Sequence, residues 1–519
     1  MEKFTLPSEL KGVHIHFVGI KGTGMAALTE ILHARGAFIT GSDVEDVFYT
    51  DQVLAAIGIK ALPFSAENIT GDICCVIYSS AYNFETNCEL QIAREKHIPC
   101  LLYSQALGQI SAHAYSCGIA GVHGKTTTTG LTGSILQQFA LPVQVLAGSM
   151  ISSFGAHGSC TLNRGHKYFV AETCEYQRHF MDFHPQKIIL TSVESDHQDY
   201  YPTYNDILNA FVDYICLLPA GGQLIYCCDD KGACEAVSLA EKKRPDIVFT
   251  PYGEGTDSDF KITFGKVEAG RQYFSLKAFG DYQFYLRIPG KHLVLNAAAA
   301  IALVVGLLQA DSSAECKPGT EPLQGTAQGS DIGHVFSTDT ADKIATGLVS
   351  FIGGKRRSEI LGEWKNVLFI DDYGHHPTAV EKTLEGYKKF YPDRLLIVDF
   401  MAHTYSRTAA LLEEFAQCFS AADQVILHKI YGSAREKAED ASVTGKTLWE
   451  KVREYHPYVR YYEEIMDALP DMKRELESSQ NKGAKNGTDA EKILFITMGA
   501  GDNWKLGRKL LEDLQGEQL

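Results

Sequence analysis

The chain has 519 residues, of which 45% are hydrophobic, and its formal net charge is −16. This length predicts several domains of roughly 100–200 residues each, and the acidic balance excludes a typical nucleic-acid-binding protein, which needs a basic face. The 13 cysteines contain no C-x-x-C spacing, so we expect buried free thiols rather than a zinc site or a disulfide framework. We find no apolar signal core and no run of about 18 apolar residues, and therefore predict a cytoplasmic protein without membrane insertion.

The first third of the chain alternates short apolar runs with helical stretches. VHIHFVGI is typical of a strand, and MAALTEILHARG follows it with helical spacing and a terminal glycine. Strands that alternate with helices indicate parallel β-α-β units, so we predict a Rossmann-like domain at residues 1–112.

A glycine cluster joins the first predicted strand to the first predicted helix. Gly19, Gly22 and Gly24 precede the small residue Ala27, and Asp43 follows the second predicted strand. This spacing is typical of backbone amides that approach a nucleotide diphosphate, with Asp43 accepting from a ribose hydroxyl. The pattern fits NAD and UDP-sugars equally well, and a purely structural tight turn is the alternative.

A second strand–loop–helix unit begins at AYSCGIAGVHGKTTTTG. The loop departs from the common phosphate-binding pattern, because its first glycine is Gly121 and position 119 is Ile119. Lys125 would supply a positive charge to phosphate, and Thr126 would supply a hydroxyl to Mg²⁺. We therefore predict a P-loop-type central ATPase domain with a mostly parallel sheet at residues 113–349.

Acidic residues follow two later strands of this domain. Glu172 ends one predicted strand, and Glu194, Asp196 and His197 follow another. Because Mg²⁺ prefers oxygen ligands, Glu172 is the stronger candidate. Spacing alone favours an ordinary hydrogen-bonded histidine at His197.

The last part of the chain predicts a Rossmann-like C-terminal domain at residues 350–519. Its strands are expected in WKNVLFIDDYG, DRLLIVDF, DQVILHKIY and KILFITMGAG. Residues 310–333 are predicted to form an exposed loop or linker, and residues 472–490 a surface insertion.

Charged and imidazole side chains concentrate after two strands of this third unit. Asp372, His375 and His376 could steer an amine nucleophile or carry its proton. Arg407 could stabilise charge on a transferring phosphoryl group. A solvated loop with a helix-capping aspartate is the competing interpretation of any one of them alone.

Five motifs in order resemble the Mur ligases of peptidoglycan synthesis, and among them the members that add L-alanine. They are FVGIKGTGMAAL, GVHGKTTTT, GKHLVLNAAAA, DDYGHHPTAV and AHTYSRT. The resemblance implies that ATP phosphorylates the lactyl carboxylate of UDP-N-acetylmuramate and that the amine of L-alanine attacks the acyl phosphate. It implies ATP and Mg²⁺, small-molecule partners only, and we expect a monomer or weak homodimer.

The resemblance also assigns site residues by position. The catalytic set is Lys125, Asp372, His375, His376 and Arg407. The ATP-binding set is Gly121, Val122, His123, Gly124, Lys125, Thr126, Thr127, His292, Asn296 and Arg357. The UDP-sugar set is Gly19, Gly22, Thr23, Gly24, Met25, Asp43, Ser79, Ser80 and Ala81. The metal set is Thr126, Glu172 and His197, so the resemblance reverses the interpretation of His197 from spacing alone.

The chain departs from the family pattern at Leu293, Ser192 and residues 173–177. Three alternative functions remain at this point. A sister ligase attaches a recycled murein tripeptide to the same sugar nucleotide. A nicotinamide-dependent oxidoreductase would leave the Lys125 loop unexplained, and a non-catalytic nucleotide-binding protein would explain only the altered segment 173–177.

Overall fold

The computed structural model describes residues 4–155, 158–268, 270–312, 337–432, 442–486 and 491–516. Within these ranges the chain forms three sheets, each built mainly of parallel strands with helices between them. The prediction of a three-domain α/β chain is confirmed. The boundaries near residues 112 and 349 stay predictions.

The first sheet has four parallel strands in the order β2-β1-β3-β4. Its strands are β1 (His14–Val18), β2 (Phe38–Ser42), β3 (Cys75–Tyr78) and β4 (Cys100–Leu102). Its helices are α1 (Thr23–Ala34), α2 (Thr50–Ala56), α3 (Cys88–Glu95) and α4 (Tyr103–Ala112). The side chains of β1 after its first residue are all buried, as expected for a parallel strand covered on both faces.

The second sheet has ten strands in the order β14-β13-β12-β11-β10-β9-β5-β8-β6-β7. Its strands are β5 (Tyr115–Ala120), β6 (Val143–Ile151), β7 (Ser159–Asn163), β8 (Tyr168–Glu172), β9 (Lys187–Leu190), β10 (Gln223–Cys227), β11 (Val248–Gly253), β12 (Phe260–Glu268), β13 (Arg271–Leu276) and β14 (Phe284–Leu286). Its helices are α5 (Lys125–Leu136), α6 (Tyr204–Ile215), α7 (Lys231–Lys243), α8 (Lys291–Ser312) and α9 (Thr338–Ser350). The pairs β6·β7, β12·β13 and β13·β14 are antiparallel, and the remaining pairs are parallel.

Helix α8 forms the centre of this domain's core. It packs against α5 and strands β10 and β11, and its alanine run Ala297–Ala300 is fully buried. By length and composition the helix could cross a membrane, but 78% of its most apolar 18-residue stretch is buried inside the protein. It is therefore a core helix in this structure.

The third sheet has six strands in the order β15-β16-β20-β17-β18-β19, with only the β15·β16 pair antiparallel among the described residues. Its strands are β15 (Glu359–Trp364), β16 (Val367–Asp372), β17 (Leu395–Phe400), β18 (Gln424–Leu427), β19 (Val459–Tyr461) and β20 (Ile493–Met498). Its helices are α10 (Pro377–Phe390), α11 (Tyr405–Ala410), α12 (Leu412–Gln417), α13 (Gly445–Val452), α14 (Leu469–Asn486) and α15 (Trp504–Gly516).

Two sequence expectations need correction. Residues 472–486 of the predicted surface insertion belong to α14 and pack Met472 and Leu476 into the core. Residues 310–312 of the predicted linker end α8, and the rest of that segment, residues 313–333, lies outside the described residues.

The cysteines of the described ranges are all free, as expected, but they are not all buried. Five are buried, whereas Cys174 is exposed and the others are half-buried. The exposed thiol lies in the segment 173–177, where the chain departs from the family pattern.

Candidate active site

The predicted phosphate loop joins β5 to the first turn of α5. Gly121 has φ +132° and Gly124 has φ +82°, both in the region that favours glycine. A Cβ at Gly121 would also lie 2.1 Å from the hydroxyl of Thr191. The loop therefore needs both glycines, and it presents the free amides of a helix N-terminus, which is a favourable place for phosphate.

The end of β9 braces this loop. The backbone N–H of His123 donates to the Ser192 hydroxyl at 3.0 Å, and the Thr191 hydroxyl donates to the His123 carbonyl at 2.5 Å. Ser192 is one of the departures from the family pattern. Here its hydroxyl takes part in holding the loop.

The ammonium group of Lys125 is already paired in this structure. It lies 3.1 Å from Oε1 and 3.0 Å from Oε2 of Glu175, and it donates to the Val122 carbonyl at 3.3 Å. Burial alone would lower the pKa of Lys125, but Glu175 and Glu172 raise it above its ordinary value. The lysine is therefore held charged and aimed at the loop.

Glu175 was not among the predicted site residues. It also lies 3.4 Å from Nε2 of His197, so one carboxylate joins the phosphate-loop lysine to the predicted metal histidine. The one feature of the sequence that could have indicated Glu175 is its spacing, since it is an acidic residue three positions after Glu172. The turn with positive φ at Gln177 and Arg178, which follows it, could not be read from the sequence.

Two of the three predicted metal residues line one cleft. Thr126 and Glu172 are both on its wall, and Glu172 accepts a hydrogen bond from the Gly148 amide at 2.8 Å. A hydroxyl and a carboxylate are hard oxygen donors, which fit Mg²⁺. The third, His197, is not on this wall and contacts Glu175 instead.

This cleft has a volume of about 270 Å³ and is lined from both the central and the C-terminal domain. Of the predicted catalytic and ATP-binding residues, those on its wall are Val122, His123, Gly124, Lys125, Thr126, Thr127, His292, Asn296, Arg357, Asp372, His375 and His376. Gly121 lies just before the wall, at the end of β5. Most of the predicted catalytic and ATP-binding residues therefore line the same cavity, although they come from segments far apart in the chain.

The side chains on this wall have different local roles. Asn296 packs against the loop, because a Cβ on Gly124 would lie 2.5 Å from its amide oxygen. Asp372 accepts from the backbone amides of Ser358 and Gly374, each at 2.8 Å, so its carboxylate holds the surrounding turns. Burial lowers the pKa of His292 to about 4.

His375 is also neutral in this environment. Burial, and then the nearby charge of Arg407, lower the pKa of His375 well below its ordinary value. A neutral imidazole on the wall of the cleft has a lone pair that can accept a proton from an incoming amine.

Arg407 connects the C-terminal domain to the central domain. Its Nη2 and Nε lie 2.8 and 3.1 Å from Oδ1 of Asp196, and its Nη1 donates to the His403 carbonyl at 2.8 Å. Burial acts to raise the pKa of Asp196, but its neighbours, Arg407 first among them, together outweigh burial and hold that pKa well below the ordinary range. The guanidinium therefore has a fixed, charged partner in the other domain.

The predicted UDP-sugar residues lie on the N-terminal sheet and its loops. A second cavity of about 170 Å³ is lined by Gly24, Tyr103 and Glu172, among others. Glu172 is thus shared by both cavities. The two cavities meet at the residue predicted to hold the metal.

Asp43 is used inside the glycine loop. Its carboxylate accepts from the amides of Lys21 and Val44 at 2.7 and 2.8 Å and from the Tyr82 hydroxyl at 3.0 Å. The remaining predicted residues sit around this loop: Gly19 against Tyr82, Thr23 hydrogen-bonded to Tyr49, Met25 buried in α1, Gly22 as the N-cap of that helix, and Ser79, Ser80 and Ala81 after β3. The structure shows Asp43 stabilising the loop, and a ribose contact stays a prediction.

Comparison with known proteins gives matches along the whole chain. Three family models match in order: the Mur ligase family catalytic domain at residues 14–115, the Mur ligase middle domain at 119–304 and the Mur ligase glutamate ligase domain at 356–480. The chain is 47% identical over 518 residues to a UDP-N-acetylmuramate–L-alanine ligase of Treponema pallidum, with 100% of both chains covered. It is 35% identical to the protein of the same name from Desulfitobacterium hafniense, with 96% of this chain and 99% of the relative covered.

Solved structures share the fold. The UDP-N-acetylmuramate-alanine ligase of Thermotoga maritima superposes with a TM-score of 0.69 at 22% identity, covering 97% of this chain and 99% of the other. A murein peptide ligase of Psychrobacter arcticus gives 0.62 at 20% identity, with 97% and 99% covered. At these identities the likeness concerns the fold alone.

Proposed function

The chain belongs to the Mur ligase family, and we propose that it joins L-alanine to the lactyl carboxylate of UDP-N-acetylmuramate at the expense of ATP. The observation that carries this proposal is the 47% identity over the full length to a relative named for that reaction. The two cavities that share Glu172 support it, because the phosphate loop lines one and Gly24 of the glycine loop lines the other, so sites for ATP and for the sugar nucleotide would be neighbours.

In the proposed reaction a carboxylate oxygen of UDP-N-acetylmuramate attacks the γ-phosphorus of ATP, and ADP leaves. The amides of the loop and Lys125 would hold the phosphates, and Glu175 would release the ammonium as they bind. Thr126 and Glu172 would hold Mg²⁺, which supplies positive charge to the transferring phosphoryl group. Positioning and charge stabilisation carry most of the catalysis in this type of step.

The amine of L-alanine then attacks the acyl carbon, and inorganic phosphate leaves with the C–O bonding pair. The attacking nitrogen loses one proton, and His375 is the proposed acceptor because its half-buried, neutral imidazole lines the cleft. Arg407 would stabilise negative charge on the departing phosphate, which requires that it exchange part of its contact with Asp196.

We further propose that the enzyme works in the cytoplasm as a monomer or weak homodimer, in peptidoglycan precursor synthesis. Free cysteines throughout the described ranges support a reducing compartment. The substrates are small molecules, and the net charge of −16 gives no support to a nucleic-acid partner.

Phosphate release tests the proposal. The purified chain is mixed with ATP, Mg²⁺ and UDP-N-acetylmuramate, and then with L-alanine, glycine, L-serine or the murein tripeptide. We expect L-alanine to give the fastest release. Release with the tripeptide but not with L-alanine would refute the proposal in favour of the sister ligase, and release with none would indicate a non-catalytic protein.

A further inference from the structure

Two histidines and a glutamate converge where the C-terminal domain meets the phosphate loop. His123 belongs to that loop, Glu194 follows β9, and His376 is the N-cap of α10. Oε2 of Glu194 lies 3.5 Å from Nε2 of His123 and 3.7 Å from Nδ1 of His376. One ligand atom from each residue lies within 4.8 Å of the other two.

These separations suit three ligands around one ion. Zinc–nitrogen and zinc–oxygen bonds of about 2.0–2.2 Å place neighbouring ligands of a tetrahedral site about 3.3–3.6 Å apart. The two glutamate–histidine separations, 3.5 and 3.7 Å, are close to that edge. Three protein ligands would leave the fourth position open to water.

The histidine nitrogens of this cluster are buried and lack hydrogen-bond partners. His376 is 5% exposed, and among the described residues neither of its ring nitrogens, nor Nε2 of His123, makes a hydrogen bond of good geometry. A buried polar group left without a partner carries a cost in folding free energy. An ion bound between the three residues would remove that cost.

The carboxylate of Glu194 has one hydrogen-bond partner outside the cluster. The Thr378 hydroxyl donates to Oε2 of Glu194 at 3.2 Å and would orient the carboxylate, as outer ligands of metal sites do.

We propose that His123, Glu194 and His376 form a site for Zn²⁺, separate from the Mg²⁺ site at Thr126 and Glu172. Two imidazoles and a carboxylate favour zinc, whereas Mg²⁺ prefers oxygen alone. The ligands come from two domains, so a bound ion ties α10 to the phosphate loop. Zinc thereby holds the domains in this arrangement and inhibits a reaction that requires them to open for product release.

Cobalt(II) substitution tests the site on the full-length chain without nucleotide. We expect one equivalent of Co²⁺ with the visible bands of a tetrahedral ion and without the near-ultraviolet charge-transfer band of thiolate ligands. His376→Gln and Glu194→Gln should each weaken Co²⁺ and Zn²⁺ binding at least about 10-fold. His292→Gln is the matched control, because His292 is a half-buried histidine of the same cleft outside the cluster, and this variant should bind zinc as the unchanged protein does.

Zinc-edge X-ray absorption of the unchanged protein provides a readout that does not depend on how the variants fold. Nitrogen and oxygen ligands support the site. A sulfur-dominated shell, which would indicate binding by cysteines, overturns the proposal. Unchanged zinc affinity in both His376→Gln and Glu194→Gln overturns it as well, whether or not the chain has ligase activity.

Discussion

The buried ion pair between Arg407 and Asp196 gives a prediction whose size follows from its burial. The two side chains are only 8% and 6% exposed and lie 2.8 Å apart across the domain boundary. Asp196→Asn keeps the shape and one acceptor but removes the negative charge. Breaking a buried pair from one side costs about 3–5 kcal/mol, because the other charge stays buried without compensation.

We take the lower end of this range, since the amide oxygen and the His403 carbonyl still accept hydrogen bonds from Arg407. A loss of about 3 kcal/mol changes the equilibrium for opening this contact by roughly 100-fold. Hydrogen exchange measured by mass spectrometry on peptides that cover α11 should therefore show a loss of protection of that order. Interior strands such as β20 should keep their protection.

The matched control is Asp213→Asn. Asp213 pairs with Arg178 at the same 2.8 Å and in the same central domain as Asp196, but these side chains are 43% and 35% exposed. An exposed pair contributes about 0–1 kcal/mol, so exchange should change little. Equal effects of the two substitutions, or unchanged protection of α11 in Asp196→Asn, would refute the reasoning from burial.

Three further predictions concern other parts of the molecule. Burial raises the pKa of Glu30 from 4.5 to about 7. The contribution of Glu30 to the free energy of unfolding is therefore full below pH 4.5 and falls by about 3 kcal/mol as pH rises through 7. Glu30→Gln should abolish the resulting fall in melting temperature between pH 5 and 8, and an unchanged fall would contradict this reasoning. A Cβ at Gly148 would lie 2.4 Å from the carboxylate of Glu172. Gly148→Ala should therefore raise the Mg²⁺ concentration that half-maximal phosphate release requires by about 10- to 100-fold. Gly71 has open space around it, so Gly71→Ala should leave that concentration unchanged. Lys125→Ala should lower turnover at least about 100-fold and leave calorimetric binding of UDP-N-acetylmuramate intact; loss of that binding would show that the two sites are not separate.

Sequence patterns were sufficient to predict those helices, strands and loops that are strongly apolar or carry glycine motifs. Strand β16 begins with a continuous apolar run at residues 367–370 and ends in two acidic residues, and the phosphate loop carries its own conformational signal in Gly121 and Gly124. The helix α14 was missed because its buried face is sparse. Met472, Leu476 and Gln480 are the buried side chains along its described length that repeat every four residues, and one of these is polar.

The site was harder to predict wherever a contact crosses between segments. Glu175 reaches Lys125 because the chain turns back after it, and Glu194 meets His376 only when two domains are in place. Asp43 shows the converse, since its spacing predicts a ribose contact while its carboxylate is satisfied within the loop. Residue type and spacing predict which functional groups are present, but not which hydrogen-bond or ion-pair partner each of them has in the folded chain.

The burial of α8 has a consequence for how the chain reaches this structure. The helix is apolar on nearly every side, and its cover comes from α5, which precedes it by more than a hundred residues, and from strands β10 and β11. A nascent chain in which α8 has formed before that sheet would expose a long apolar surface, which favours association with other chains. The order of synthesis helps here, because α5, β10 and β11 all leave the ribosome before α8 does.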